Sequence, residues 1–206
     1  MALSDFSVEE REELLKEAEM AYQETKLLFH QAKPQEALDK AQRATEIFLR
    51  FEVWEGILKS GNALASCLFY LGRIEEALKK LLDFQDKTIA QVGEQHLEIA
   101  NNHAIIGGCH DRKGNLDKAL YHFQISLKIV LSTLGENHPH TAFAYNNIAS
   151  IYGQKRYFNK VIFFYEKSTA ILFKIDKMHF ALVTIYTNLA KVHQNKRDFN
   201  KVSKHV

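Results

Sequence analysis

The sequence predicts an all-α protein: a right-handed α-solenoid of antiparallel helix hairpins, with about four full repeats and a truncated fifth. Three observations lead there. Apolar residues recur three and four apart through most of the 206 residues, the spacing of a single helix face. A helix–turn–helix signature returns every 40 to 42 residues. With 2 Pro, 9 Gly and 46% hydrophobic residues, the composition suits helices that bury one face.

Residues 134–176 show one unit most plainly. Their first run carries Ala142, Tyr145, Ile148, Ala149 and Tyr152; the second carries Phe158, Val161, Ile162, Tyr165, Ile171 and Leu172. A turn at Lys155-Arg156 joins them. A lone helical hairpin cannot bury both of its apolar faces, so it needs neighbours of the same kind. LGRIEEAL (71–78), KGNLDKAL (113–120), KRYFNKVI (155–162) and KRDFNKVS (196–203) mark the successive units, with AKPQEALD (32–39) as a weaker first copy. The anchor positions are Ala37, Ala77, Ala119, Val161 and Val202. Twelve residues before them stand Thr25, Ala65, Gly107, Ala149 and Ala190, small in four of five copies, where two helices are expected to cross closely.

Two segments are more specific: LGENHPHTAFAYNNIASIYGQKRYFNKVIFFYEKSTAI (134–171) and YTNLAKVHQNKRDFNKV (186–202). The first carries a Leu-Gly-x-x-His-Pro entry and an Asn-Asn-hydrophobic-Ala-x-x-Tyr run. With these features the chain, from roughly residue 18 onward, resembles the tetratricopeptide repeat, and more narrowly the long repeats of kinesin light chains. The resemblance implies an inner groove lined by the first helix of each repeat, and recognition of a cargo or scaffold protein. The basic clamp of the chaperone-tail-binding members is not matched, since the groove slots hold Lys59 and Lys191 without its full Lys/Asn/Lys/Arg set.

In chain order, helices are expected over 7–31, 34–52, 53–71, 74–91, 96–112, 116–133, 139–154, 157–175 and 178–195, with a stub from 198. They group into repeats at 7–52, 53–95, 96–137, 138–177 and an incomplete 178–206, all in one domain. Ser7 is placed to cap the first helix, with Glu10 as its capping-box partner. Pro34 and Pro139 open helices, where a missing N–H costs nothing. Gly72 and Gly114 fall at tight turns that call for positive φ, and Gly93 and Gly135 end second helices.

Cys67 and Cys109 occupy a slot that Ile151 and Val192 fill in later repeats, so they read as buried hydrophobes rather than a metal or redox pair. Sparse thiols suggest a reducing, intracellular compartment, the cytoplasm. The N-terminus lacks the basic start and apolar core of a secretory signal. No apolar run approaches the roughly 18 residues of a membrane span. His103 and His110 take the slots of Tyr145 and Tyr152, which makes them packed polar aromatics. No zinc-spaced cluster, catalytic triad, carboxylate pair or phosphate-cradling loop emerges from spacing. No enzymatic activity, catalytic residue, metal or cofactor is therefore expected.

Net charge is only +2, but it is unevenly spread. Residues 1–52 hold 7 Lys and Arg against 12 Asp and Glu, whereas residues 135–206 hold 11 against 4. In a solenoid, sequence order is spatial order, so this is a dipole along the molecule. Lys160, Lys167 and Lys174 recur every seven residues on one helix face. Without a basic-aromatic reader motif, nucleic acid is not an expected partner.

Inner-facing slots are counted back from the anchors. They place Asn62, Asn101, Phe143, Asn146, Asn147, Ser150, Thr187, Asn188 and Lys191 on the inner surface as candidate partner-binding residues. The same slots hold Ser66, Ala104, Ile105 and Gly108 in the earlier repeats. An asparagine carboxamide can pair with both the N–H and the C=O of an extended peptide. Asparagine is also a poor helix former, so Asn146-Asn147 in mid-helix needs a reason. The amides either bridge neighbouring repeats or hold a ligand backbone, and the sequence leaves both uses open.

The expected function is a non-enzymatic adaptor that grips an extended segment of a partner protein in its concave groove. The alternative is a scaffold segment that docks laterally through its convex basic face and an open C-terminal end. A second helix begun near Phe199 is short, so self-association or continuation of the chain is expected there.

Overall fold

The computed structural model describes residues 6–176 and 180–202 (of residues 86, 180 and 195–202, the backbone only). The described elements are α1 (Val8–His30), α2 (Pro34–Arg50), α3 (Trp54–Tyr70), α4 (Ile74–Val92), α5 (Leu97–Arg112), α6 (Leu116–Leu134), α7 (Pro139–Gln154), α8 (Phe158–Ile175) and α9 (Phe180–Val202). No strand occurs among the described residues. Each helix packs on the one before and after it, and α3 also lies against α1 and α5. The result is an α-solenoid of helical hairpins, with the odd-numbered helices forming one side. Among the described residues, no helix is long and apolar enough to cross a membrane.

The hairpin turns have a common local cause. At Ala32, Gly72, Gly114 and Arg156 the backbone takes φ of 57°, 78°, 75° and 60°. That conformation turns the next N–H back onto the helix. Arg73 N donates to Leu68 O at 2.8 Å, Asn115 N to His110 O at 2.9 Å, and Tyr157 N to Tyr152 O at 3.0 Å. The connections that follow α4 and α6 use Gly93 (φ 84°, ψ 154°) and Gly135 (φ 80°, ψ 178°). Only glycine adopts that region readily. Ser7 and Glu10 form the expected capping box at the start of α1.

Packing follows from residue size at the anchors. Ala37, Ala77, Ala119 and Val161 are fully buried, as are Ala65 and Ala149 at the crossings. At Gly107 a Cβ would lie 2.8 Å from two ring atoms of Phe123. The missing methyl leaves room for that ring between α5 and α6. Cys67 and Cys109 are both buried, and burial raises each thiol to about 11. They behave as small hydrophobes.

The C-terminal element departs from the sequence expectation. In place of a turn near residue 196 and a new helix from 198, α9 runs unbroken from Phe180 to Val202. The matching turn would need Arg197 at positive φ, which costs an L-residue about 1–2 kcal/mol. Arg156 carries that strain because α8 packs back on α7. Among the described residues, no further helix packs back on α9 to offset the same strain at Arg197. Continuing α9 costs less. Ala190, expected at a close crossing, is consequently exposed.

Candidate functional site

The side formed by the odd-numbered helices holds a cleft of about 360 Å³. Ser66, Phe69 and Tyr70 of α3 line it, with Ala104, Ile105, Gly108 and Asp111 of α5, Phe123 of α6 and Asn147 of α7. Ser66, Ala104, Ile105, Gly108 and Asn147 fall in the inner slots counted from the sequence. One edge is aromatic. Phe29 and Tyr70 meet edge to face at 4.9 Å, Tyr70 and Phe69 at 5.6 Å, and the Arg112 guanidinium sits 4.9 Å over the Phe69 ring.

The asparagines divide into two kinds. Asn62 is buried, and its Nδ2 donates to the Glu98 main-chain oxygen at 2.8 Å and to the Glu98 carboxylate at 3.0 Å. Asn101 donates to the same carboxylate at 3.1 Å. Asn188 donates to the Tyr165 hydroxyl at 3.3 Å. These amides are engaged within the chain. Asn146 and Asn147 are half-buried, and neither makes a side-chain hydrogen bond among the described residues. Phe143, Ser150, Thr187 and Lys191 are exposed, Thr187 donating to the Val183 carbonyl at 2.8 Å.

The lysines on α8 are also engaged by their own chain. Lys160 lies over the rings of Tyr152 (4.7 Å) and Tyr157 (5.6 Å), Lys167 over Phe163 (5.8 Å), and Lys174 donates to Asn137 Oδ1 at 3.4 Å.

A histidine column fills the α5/α6 interface. His122 stacks against His103 at 5.2 Å and His110 at 5.6 Å, and the Nδ1 atoms of His103 and His122 lie 2.9 Å apart. Gln85 Nε2 meets His103 Nε2 at 3.2 Å. In the next repeat Tyr145, Tyr152 and Phe164 occupy the same positions, with Tyr152 stacked on Phe164 at 5.6 Å and Tyr145 tilted against it at 6.0 Å. Burial, then the neighbouring His103, His110 and Lys118, hold His122 down to about 4. Burial is also the first cause lowering His103 and His110. Among the described residues, no group of three or more His, Cys, Asp or Glu is placed to hold a metal ion.

Phe69, Tyr70, Asp111 and Phe123 escape the slot count as cleft residues, and His122 escapes it as the third ring of the column. A signal for His122 exists: Phe164 stands three residues after its anchor, as His122 does. Phe69, Tyr70 and Asp111 stand 8, 7 and 8 residues before their anchors, one helical turn past the last slot counted, so the same three-and-four spacing carried one turn further would have marked them. Phe123 lies on the second helix of its hairpin, outside the slots.

Residues 97–172 match the family model of the tetratricopeptide repeat. That segment carries tetratricopeptide repeats. The chain is similar in fold to the nearly identical TPR-like repeats of a Podosopora anserina protein described as a kinesin light chain (17% identity, 90% of this chain and 90% of that one, TM-score 0.67). BtubC (BKLC) from P. vanneervenii is similar over 95% of this chain and 88% of its own (14% identity, TM-score 0.66). A Rap protein complexed with competence and sporulation factor is similar over 92% of this chain and 60% of its own (16% identity, TM-score 0.71). At these identities the likeness is one of fold. No curated protein matches the chain.

Proposed function

We propose that this tetratricopeptide-repeat chain is a non-catalytic protein-interaction adaptor that holds an extended segment of a partner protein along the side lined by α3, α5 and α7. The observation that carries this reading is the pair Asn146 and Asn147. Both sit mid-helix, both are half-buried, and neither carboxamide is hydrogen-bonded by the described residues. Each offers two donors and an acceptor toward a peptide backbone. Asn147 borders a cleft of about 360 Å³, at the lower end of the ligand-pocket range of about 300–1,000 Å³. Phe143, Ser150, Thr187 and Lys191 extend the track on α7 and α9. Asn62, Asn101 and Asn188 brace the helices that present it.

The scaffold alternative relies on the convex lysines, but Lys160, Lys167 and Lys174 already contact rings or an amide of their own chain. Salt separates the two modes. A partner segment recovered with this chain and then purified should keep most of its affinity when the Debye length is cut from about 10 Å to about 3 Å by raising salt from about 0.1 to 1 M. Loss of binding over that range, with groove substitutions having no effect, would favour docking on the basic face.

A further inference from the structure

The cleft between α3, α5 and α7 contains a carboxylate with accepting capacity to spare. Asp111 lines it, is half-buried, and has one side-chain hydrogen-bond partner among the described residues: Gln154 Nε2 donates to its Oδ1 at 2.7 Å. Its sequence neighbour Arg112 turns instead to the Phe69 ring. A carboxylate has about four acceptor sites, so Asp111 keeps most of its accepting capacity for a group that enters the cleft.

The rest of the lining says what shape that group has. Phe69, Tyr70 and Phe123 supply aromatic surface, and Ile105 and Ala104 an apolar floor. The Phe69 ring already seats one guanidinium, that of Arg112, at 4.9 Å, so its environment suits a cation against a π-face. Gly108 opens the floor without being required by packing. A Cβ there would meet Phe69 only at 3.5 and 3.6 Å, ordinary contact, in contrast to 2.8 Å at Gly107. A mid-helix glycine costs about 1 kcal/mol against alanine, and at Gly108 the space it leaves belongs to the cleft.

Resting on the groove reading above, we propose that this cleft is a side-chain pocket selecting a basic residue of the bound segment, arginine above lysine. The aliphatic stem lies on Ile105 and Gly108, the guanidinium plane reaches the aromatic edge, and its N–H groups donate to Asp111. Asn147 on the rim takes the adjoining peptide group. A planar guanidinium suits both a carboxylate and a ring face, which an ammonium does less well.

The test uses the full chain, labelled with nitrogen-15, and four short Ser/Gly/Ala peptides that differ only at the centre: Arg, citrulline, Leu or Glu. Citrulline keeps the shape of arginine and removes its charge. The Arg peptide should move the amide signals of Gly108, Asp111 and Asn147 saturably. The citrulline peptide should bind at least fivefold more weakly, and the Glu peptide more weakly still. Asp111→Asn should erase the difference between Arg and citrulline while leaving the helical spectrum intact. Gly108→Leu should remove binding of both. If the Leu peptide binds as well as the Arg peptide and Asp111→Asn changes nothing, selection of a basic residue is wrong while the groove reading stands. If no peptide moves any signal on α3, α5 or α7, both readings fall.

Discussion

The Asn62 carboxamide grips Glu98 twice, at its main-chain oxygen (2.8 Å) and at its carboxylate (3.0 Å), and so ties α3 to the first turn of α5. One of these bonds is charge-assisted. Asn62→Ala should therefore destabilise the chain by about 1–3 kcal/mol, because both acceptors lose a partly buried donor. Thermal unfolding checks this, and partner binding should survive wherever the chain remains folded.

The histidine column makes stability depend on pH. His122, held at about 4 when folded, titrates near about 6.5 when unfolded. The unfolded state thus binds more protons between those values. Stability is unaffected by His122 above about pH 7, declines as pH falls toward 4, and loses nothing further from this residue below that. His122 is half-buried, so solvent screening trims the total decline to about 2 kcal/mol. His122→Phe, which copies the Phe164 slot of the next repeat, should flatten this part of the decline, measured by urea unfolding between pH 7 and pH 4.

Backbone strain at Arg156 is open to relief. Its φ of 60° stands where Gly72 and Gly114 have 78° and 75° in the corresponding turns. Arg156→Gly removes the Cβ conflict but loosens the unfolded chain, so a net gain of about 0.5–1 kcal/mol is expected. The reciprocal Gly114→Ala should lose stability. Paired melting curves of the two variants test the sign.

Gly107 marks the opposite case, where side-chain volume decides. Gly107→Ala would push a methyl to 2.8 Å from the Phe123 ring, itself buried. The intrinsic helix gain of about 1 kcal/mol is outweighed by overpacking of about 1–3 kcal/mol. Gly108→Ala, where the new methyl meets only ordinary contacts, should instead raise the melting temperature.

The helices are legible in the sequence because their causes are local. Apolar period, Ser7 with Glu10, Pro34 and Pro139, and the turn glycines each act within a few residues. The end of α9 is not legible, because whether Arg197 accepts positive φ depends on packing by another helix. The inner slots are legible from the repeat, and Ser66, Ile105, Gly108 and Asn147 do line one cleft. The use of each amide is not. Asn62 and Asn147 occupy neighbouring slots in different repeats, yet one meets Glu98 and the other has no hydrogen-bond partner among the described residues. That difference depends on the residue supplied by the adjacent helix, which no periodicity reports.

Whether Asn146 and Asn147 hold a partner's backbone is tested most directly by the double change Asn146→Ala with Asn147→Ala, read by titration of a purified partner segment alongside thermal unfolding. Two net hydrogen bonds at about 0.5–1.5 kcal/mol each predict affinity lower by roughly five- to a hundredfold. The melting temperature should hold or rise, because alanine is the better helix former. Unchanged affinity together with a melting temperature several degrees lower would contradict the account and make these amides braces like Asn62.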